Sequence, residues 1–560
     1  MRPRPPVRAA TSALAAIALA GGALGGCSAA APGGPPAPGA TMTPPEAAIS
    51  PPAAGTPARP GRPLVVETVL GPVDLDPARL SGTTDAMLAR ALYQTLTTLS
   101  AADPTRAVPG LAEYTISPEG RWLTLRLRAG ATFADGAPVT TDDVLFTLRR
   151  AQGLGGPPAR VLGPVRMTKV DERTLTISSP DANFALPVIL ANPAFGILDS
   201  SVVKARGGTI GPQDTAGRWL QTHSAGSGPY VLGSRTATSV TLEPNPRWSG
   251  PPPAHPVVRV KTAGAIQQLA DLTAGRADIV LDLSPRQAQR LRQDAGDTAL
   301  RVVPVRSSTT AYLAFDVRPG AGRWTAEPGF AAAVRDGLDR AALTRRLHEG
   351  AIPAPGLLAP GVVGALKQAT NPTPAPGAPA AGQRDLRAAR VALERAGYRG
   401  QPVRLVYARD RPIAGLPPQA LAELVAGQLA QAGIRVETQG LPTAKVEPAL
   451  ATGAAALVLR GFTPAYLGPG AYLSFAPGRP LGLQAGWAVG ADPLVDRLTV
   501  AAMDSVGAQR TAAYQAWQRA MGSSGPFVPL VQPIRHLAHD GRVGTLATNP
   551  LWTVDLAATR

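Results

Sequence analysis

Between residues 122 and 128 the chain alternates. Leu123, Leu125 and Leu127 fall on one side, and Thr124, Arg126 and Arg128 on the other. A period of two is that of a half-buried strand. Just upstream, Ser117-Pro118-Glu119-Gly120 reads as a tight turn, with Pro setting φ and Gly tolerating positive φ. Downstream, Asp135-Gly136 is a hairpin signal. Thr140 then stands as an N-cap, with Asp143 three residues on and Asp142 in the same first turn, where carboxylates favour the positive end of a helix. Val144, Leu145 and Leu148 give that helix an apolar face.

The same reading extends along the chain. It predicts a strand over 64–70 and a helix over 85–99, with Met87, Leu88, Leu92, Leu96 and Leu99 as its face. Strands follow at 174–178, 230–232 and 239–244. Ile266, Leu269 and Leu272 form a helix face that stops at Gly275, before a strand at 278–283. A strand at 312–316 and a helix at 330–346 come next. Residues 353–382 form a Pro- and Ala-rich insertion. A β-α-β order then appears. Asp385 caps a helix bearing Leu386, Ala389, Leu393 and Ala396, followed by a strand at 403–407, a helix at 418–432 and a strand at 434–438. Such units make parallel sheets with crossover helices. A helix at 510–521 comes last.

The first 63 residues differ in kind. Arg2, Arg4 and Arg8 precede an apolar run at 11–23, too short to span a membrane comfortably. Leu24-Gly25-Gly26-Cys27 resembles the bacterial lipobox, which implies cleavage before Cys27 and a lipid on its thiol. Residues 28–63 hold almost no large apolar side chain and cannot form a core. As an extended tether they reach on the order of 100 Å.

Composition narrows the chemistry. The chain has 560 residues, 44% hydrophobic, enough for two or three lobes with cores of their own. Its net charge of +17 is carried almost wholly by Arg. The arginines are scattered and aromatic residues are only 4%, which argues against a nucleic-acid surface. One cysteine excludes an internal disulfide. The five histidines include one close pair, His536 and His539, with no thiol nearby to complete a metal site. There is no Gly-x-Ser-x-Gly elbow and no His-Glu-x-x-His. The expectation is a binding protein, neither enzyme nor metalloprotein, with no cofactor.

The stretch 107–152 resembles the signature of the extracellular solute-binding proteins of peptide and nickel ABC importers, bacterial solute-binding family 5. Pro109, Leu111, Ala112, Leu127, Arg128, Gly130, Phe133, Asp135, Gly136, Pro138, Thr140, Asp143 and Val144 all fall in place. Leu75-Asp76-Pro77, Leu92-Tyr93, Gly226-Ser227-Gly228-Pro229-Tyr230 and Leu338-Asp339-Arg340 match further family motifs. The resemblance implies an α/β fold of the periplasmic-binding-protein type II (cluster C) kind. It has two α/β lobes plus an inserted third, with the ligand cleft between lobes. Mapped here, lobe I is 64–99, 221–305 and 525–560, lobe II is 100–220, and lobe III is 306–524.

The segment Gly461 to Phe475 resembles the family's "Gly-Trp-x-x-Asp-Tyr-x-x-Pro", but the family Asp falls on Ala465. In peptide receptors that Asp pairs with the ligand's α-ammonium, so its loss shifts weight toward a blocked or modified peptide or another non-cationic solute. Arg460 could receive an anion instead. The resemblance implies ligand contacts at Tyr312, Phe315, Arg460, Phe462, Tyr466 and Trp487. It implies a monomeric receptor, lipid-anchored at the extracytoplasmic face of the cell membrane. The receptor would capture a peptide-like solute by hinge closure and pass it to an ABC permease and its ATPase. A second expectation is an envelope lipoprotein of the same fold that acts as a binding or scaffold protein in glycolipid assembly.

Overall fold

The alternation around Trp122 is realised residue by residue. The computed structural model describes residues 62–69, 73–294, 299–318, 324–367 and 384–560. Cys27, the signal segment and all but the last two residues of the tether lie outside the described residues. In the strand Trp122–Leu127, the three leucines are buried and the residues between them exposed. It is the second strand of a four-stranded antiparallel sheet, ordered Ala112–Ile116, Trp122–Leu127, Thr174–Ser178 and Arg166–Lys169. The helix Thr141–Gly153 packs on this sheet through Val144, Leu145 and Leu148. Asp143 Oδ2 accepts from the Thr140 amide at 2.9 Å, and its Oδ1 from the Ser200 amide at 2.9 Å. The capping residue thereby also ties the helix to the next segment.

Among the described residues the main sheet has twelve strands. The strand Phe527–His539 runs through its middle. Its first half pairs with Thr310–Phe315, and its second half with Ile279–Leu283 and Arg301–Arg306. Beyond Ile279–Leu283 come Leu64–Thr68, Val258–Thr262, Ser239–Pro244 and Tyr230–Arg235. Beyond Thr310–Phe315 come Leu457–Phe462, Val403–Ala408 and Val436–Leu441. The last β-α-β pairing, Val403–Ala408 with Val436–Leu441, is parallel, as its crossover helix requires. Thr310–Phe315 divides two cores, because its side chains alternate across the sheet. Ala311, Leu313 and Phe315 enter one core, with Phe330, Val334 and Leu421. Tyr312 and Ala314 enter the other, with Tyr472, Phe475 and Trp517.

The sequence reading needs four corrections. The helix expected over 85–99 ends at Leu92, and Tyr93 is already extended. Leu92 belongs to the core of the half of the main sheet that runs from Ile279–Leu283 to Tyr230–Arg235, the first half-sheet, and Leu96 to the core of the four-stranded sheet, so the chain has to cross between them. The helix expected over 330–346 is two, Pro328–Asp336 and Arg340–Arg346. Asp339 starts the second by accepting from the Ala342 amide at 2.8 Å. Leu272 is buried as expected, but Ile266 is 84% exposed, and the helix Ala265–Thr273 buries Gln268 and Asp271 in its place. The Pro/Ala-rich stretch is not wholly an insertion. Leu357, Leu358, Ala359 and Val362 are core residues, while 368–383 lie outside the described residues.

Two features lock the junction between the first half-sheet and the four-stranded sheet. Arg150, fully buried, donates to both oxygens of Asp76 at 2.7 and 2.6 Å, and to both of Asp214 at 2.7 and 2.9 Å. Gly228 lies against the end of the helix Thr83–Leu92. A Cβ there would stand 2.5 Å from the Ala91 carbonyl oxygen and 2.5 Å from the Leu92 carbonyl carbon. Backbone cannot retreat as a side-chain tip can. Gly228→Ala is therefore expected to lose about 1–3 kcal/mol, read as a lower urea midpoint with an unchanged folded circular-dichroism spectrum.

Candidate functional site

The strand Leu457–Phe462 carries its even-numbered side chains on the face that Tyr312 occupies. Tyr312 pairs with Arg460 across the two strands. Val458 is in the same core as Tyr312, and Phe462 packs against that core. The aromatic rings there form one contiguous set. Phe475 meets Tyr312 at 5.0 Å, Phe462 at 4.9 Å and Phe527 at 4.9 Å, each nearly edge-on. Edge-to-face pairs of this kind fix ring orientation beyond what burial alone would do. Trp487 closes the set against Phe527 at 6.4 Å. The Tyr472 hydroxyl accepts from the Ala359 amide at 3.2 Å, and burial pushes its pKa far up.

Of the six expected contacts, the structure brings Tyr312, Arg460, Phe462 and Trp487 to one face. Phe462 and Arg460 are half-buried, while Tyr312 and Trp487 are buried behind them. Arg460 donates from Nη1 to Gln484 Oε1 at 2.8 Å. Phe315 is not with them. It is fully buried on the opposite face of its strand, edge-on to Phe330 at 6.2 Å. The odd spacing from Tyr312 puts it there.

Tyr466 leads away from the strand, and its segment is where three cores meet. Tyr466 packs against the core of the four-stranded sheet, and Leu467 is buried in the core of the first half-sheet. Asn192 donates from Nδ2 to the Ala465 carbonyl at 2.6 Å, while its Oδ1 accepts from the Ala194 amide at 2.9 Å. At the strand end, the hydroxyls of Thr309 and Thr463 stand 2.7 Å apart. Asn192, Thr309, Phe475 and Phe527 were not legible as site residues. Asn192 lies 273 positions from Ala465, and no local pattern links them. Among the described residues there is no cluster of three or more potential metal ligands, and no helix is long and apolar enough to cross a membrane.

The sequence profile of the bacterial extracellular solute-binding proteins, family 5, matches residues 106–478. The chain belongs to this family. The match includes both the capped helix and the segment around Ala465. A relative described as the probable D,D-dipeptide-binding periplasmic protein DdpA of Escherichia coli K12 is 30% identical over 240 residues, covering 41% of this chain and 45% of that protein. The glutathione-binding protein GsiB of Escherichia coli O6:K15:H31 is 26% identical over 384 residues, covering 66% and 67%. The chain thus spans less than half the length of the first of these relatives. Among solved structures, the Escherichia coli murein tripeptide binding protein MppA superposes with a TM-score of 0.69 at 21% identity, over 90% of this chain and 98% of that one. A putative peptide binding protein AppA from Clostridium difficile gives 0.74 at 17% identity, over 89% and 100%. These likenesses establish the type II periplasmic-binding fold that the family signature implied. The relatives' names describe binding proteins.

Proposed function

We propose that the protein is the solute-capturing component of an ABC importer, lipidated on Cys27 and held at the outer face of the membrane by the tether 28–63. The lobes are those mapped from the sequence, 64–99 with 221–305 and 525–560, then 100–220, then 306–524. The segment 307–309 and the strand Phe527–His539 serve as the hinge. The observation that carries this reading is the meeting of three cores along one short segment, through Phe462, Tyr466 and Leu467. Buried junctions between lobes are where small-molecule sites form, and hinge closure there encloses a solute.

The cargo is a peptide or peptide-like solute, the class named for DdpA, GsiB and MppA. Its N-terminus is not gripped by charge. Position 465 offers a methyl group, and its carbonyl is already taken by Asn192. Phe462, Tyr466 and Arg460 line the solute, and Tyr312 and Trp487 support them from behind.

The test is calorimetry with peptides and their N-acetylated counterparts, chosen from species that co-purify in native mass spectrometry. The wild-type protein is expected to bind both forms alike. Ala465→Asp is expected to favour the free amine by about tenfold or more, the worth of one charge-assisted hydrogen bond of roughly 1.5–3 kcal/mol. A strong wild-type preference for the free amine would overturn the cargo assignment. Failure to bind any peptide pool would overturn the import reading.

A further inference from the structure

Behind the aromatic set lies a small cavity of about 180 Å³ that the solute site does not use. The end of the helix Pro328–Asp336, the start of Arg340–Arg346, the loop at Gly356 and the last turns of the helix Gly507–Ser524 enclose it, with Phe527 as part of its floor. Two guanidinium groups line it, Arg335 and Arg340. Among the described residues neither has a carboxylate within ion-pair distance. Arg335 donates to the carbonyls of Ser523 (3.0 Å) and Gly525, and its Nε is buried without a partner. Arg340 donates from Nε to the Pro529 carbonyl at 2.7 Å.

Two neighbouring cations in a half-enclosed cavity are costly unless something neutralises them. The groups present do not suffice. Carbonyl oxygens carry only partial charge, and the end of a long helix adds about half a negative charge. Asp336 follows Arg335 in the chain but makes no ion pair with it, and no acidic side chain lines the cavity. The cavity lining itself therefore keeps an excess of positive charge. Burial lowers the pKa of both arginines, Arg335 to about 10, with Asp336 opposing and the neighbouring Arg340 adding to the fall. Both keep their charge at neutral pH, and among the described residues no carboxylate is ion-paired with either.

We infer that this cavity is a binding site for one small oxyanion of the phosphate or sulfate class. Guanidinium groups offer planar, paired donors that suit such an anion. The volume lies below the range of pockets that take peptide-sized ligands, so this is not a second solute site. The inference does not rest on the import reading, because the cavity is built within the 306–560 part of the chain alone.

Inorganic phosphate is the probe. The full-length protein, exchanged into Tris chloride at constant ionic strength, is titrated with phosphate by calorimetry and by thermal unfolding. One phosphate per chain and a saturable rise in Tm are expected, as for any ligand that binds only the folded state. Arg340→Lys, which keeps the charge but loses the paired donors, is expected to bind at least tenfold more weakly. Because that change also touches the Pro529 contact, a second variant decides the matter independently. Gly522 lines the cavity, and a Cβ there meets nothing within 4 Å. Gly522→Asp therefore folds and supplies a tethered carboxylate, and its Tm should no longer respond to phosphate. No saturable binding by the wild-type protein, or a Gly522→Asp variant that binds phosphate as the wild type does, would overturn the inference.

Discussion

Arg150→Met is expected to destabilise the protein by about 3–5 kcal/mol, the cost of stripping a buried ion pair of one partner. The substitution keeps most of the side chain's volume, so cavity formation is a minor part of the effect. What remains is two buried carboxylates, Asp76 and Asp214, facing the place where their shared cation was. Arg79, more than a third exposed, stands 3.3 Å from Asp76 and 3.7 Å from Asp214, and offsets only part of the loss.

The pH dependence gives the prediction a sign. Burial acts to raise the Asp214 pKa, but the hydrogen bonds and charge of Arg150 outweigh it and hold the carboxyl below its ordinary range. A depressed folded pKa contributes stability that is present above the unfolded value of about 3.9 and lost as pH falls through the folded one. In the variant burial is opposed only by the Thr209 amide and the partly exposed Arg79, so the folded pKa rises from its wild-type position. The variant then loses less stability than the wild type as pH falls through the carboxylate range. Urea unfolding at about pH 7 and about pH 4.5 should therefore show a smaller gap between wild type and variant at the lower pH. An equal gap at both would mean that Arg150 acts by packing alone.

Phe475→Ala is expected to cost a similar amount, about 3–5 kcal/mol, for a fully buried phenyl ring. It should also weaken solute binding, because Phe475 is the ring against which half-buried Phe462 is set at 4.9 Å. Phe315→Ala separates the two effects. It removes an equally buried ring from the same strand as Tyr312, but on the opposite face. Its stability loss should be comparable, and its solute affinity unchanged. If both variants lose affinity alike, the aromatic set has no special link to the solute.

These contrasts show where sequence reading reaches its limit. The hairpin, the capped helix at Thr140 and the β-α-β order after Asp385 were legible because their causes are local. A turn residue, an N-cap or a two-residue period acts within a few positions and needs no distant partner. The family signature is written in these same elements, so the fold was legible as well. The arrival of Asp76, Arg150 and Asp214 at one point was not, since each reads locally as an ordinary charged residue. Ile266 misled for the same reason. Its spacing suits a helix face, but which face is buried depends on what the helix is packed against.

By itself, then, the sequence determined the strands, the caps and the family. Tertiary structure decided that Tyr312 and Phe315 stand in different cores, that Asn192 takes the Ala465 carbonyl, and that Arg335 and Arg340 share a cavity that no acidic side chain lines. The physical reason is one of range. Backbone preferences are set by neighbours in sequence. Burial, charge pairing and enclosure are set by neighbours in space, and here those come from segments as much as 465 positions apart, as Arg90 and Asp555 are.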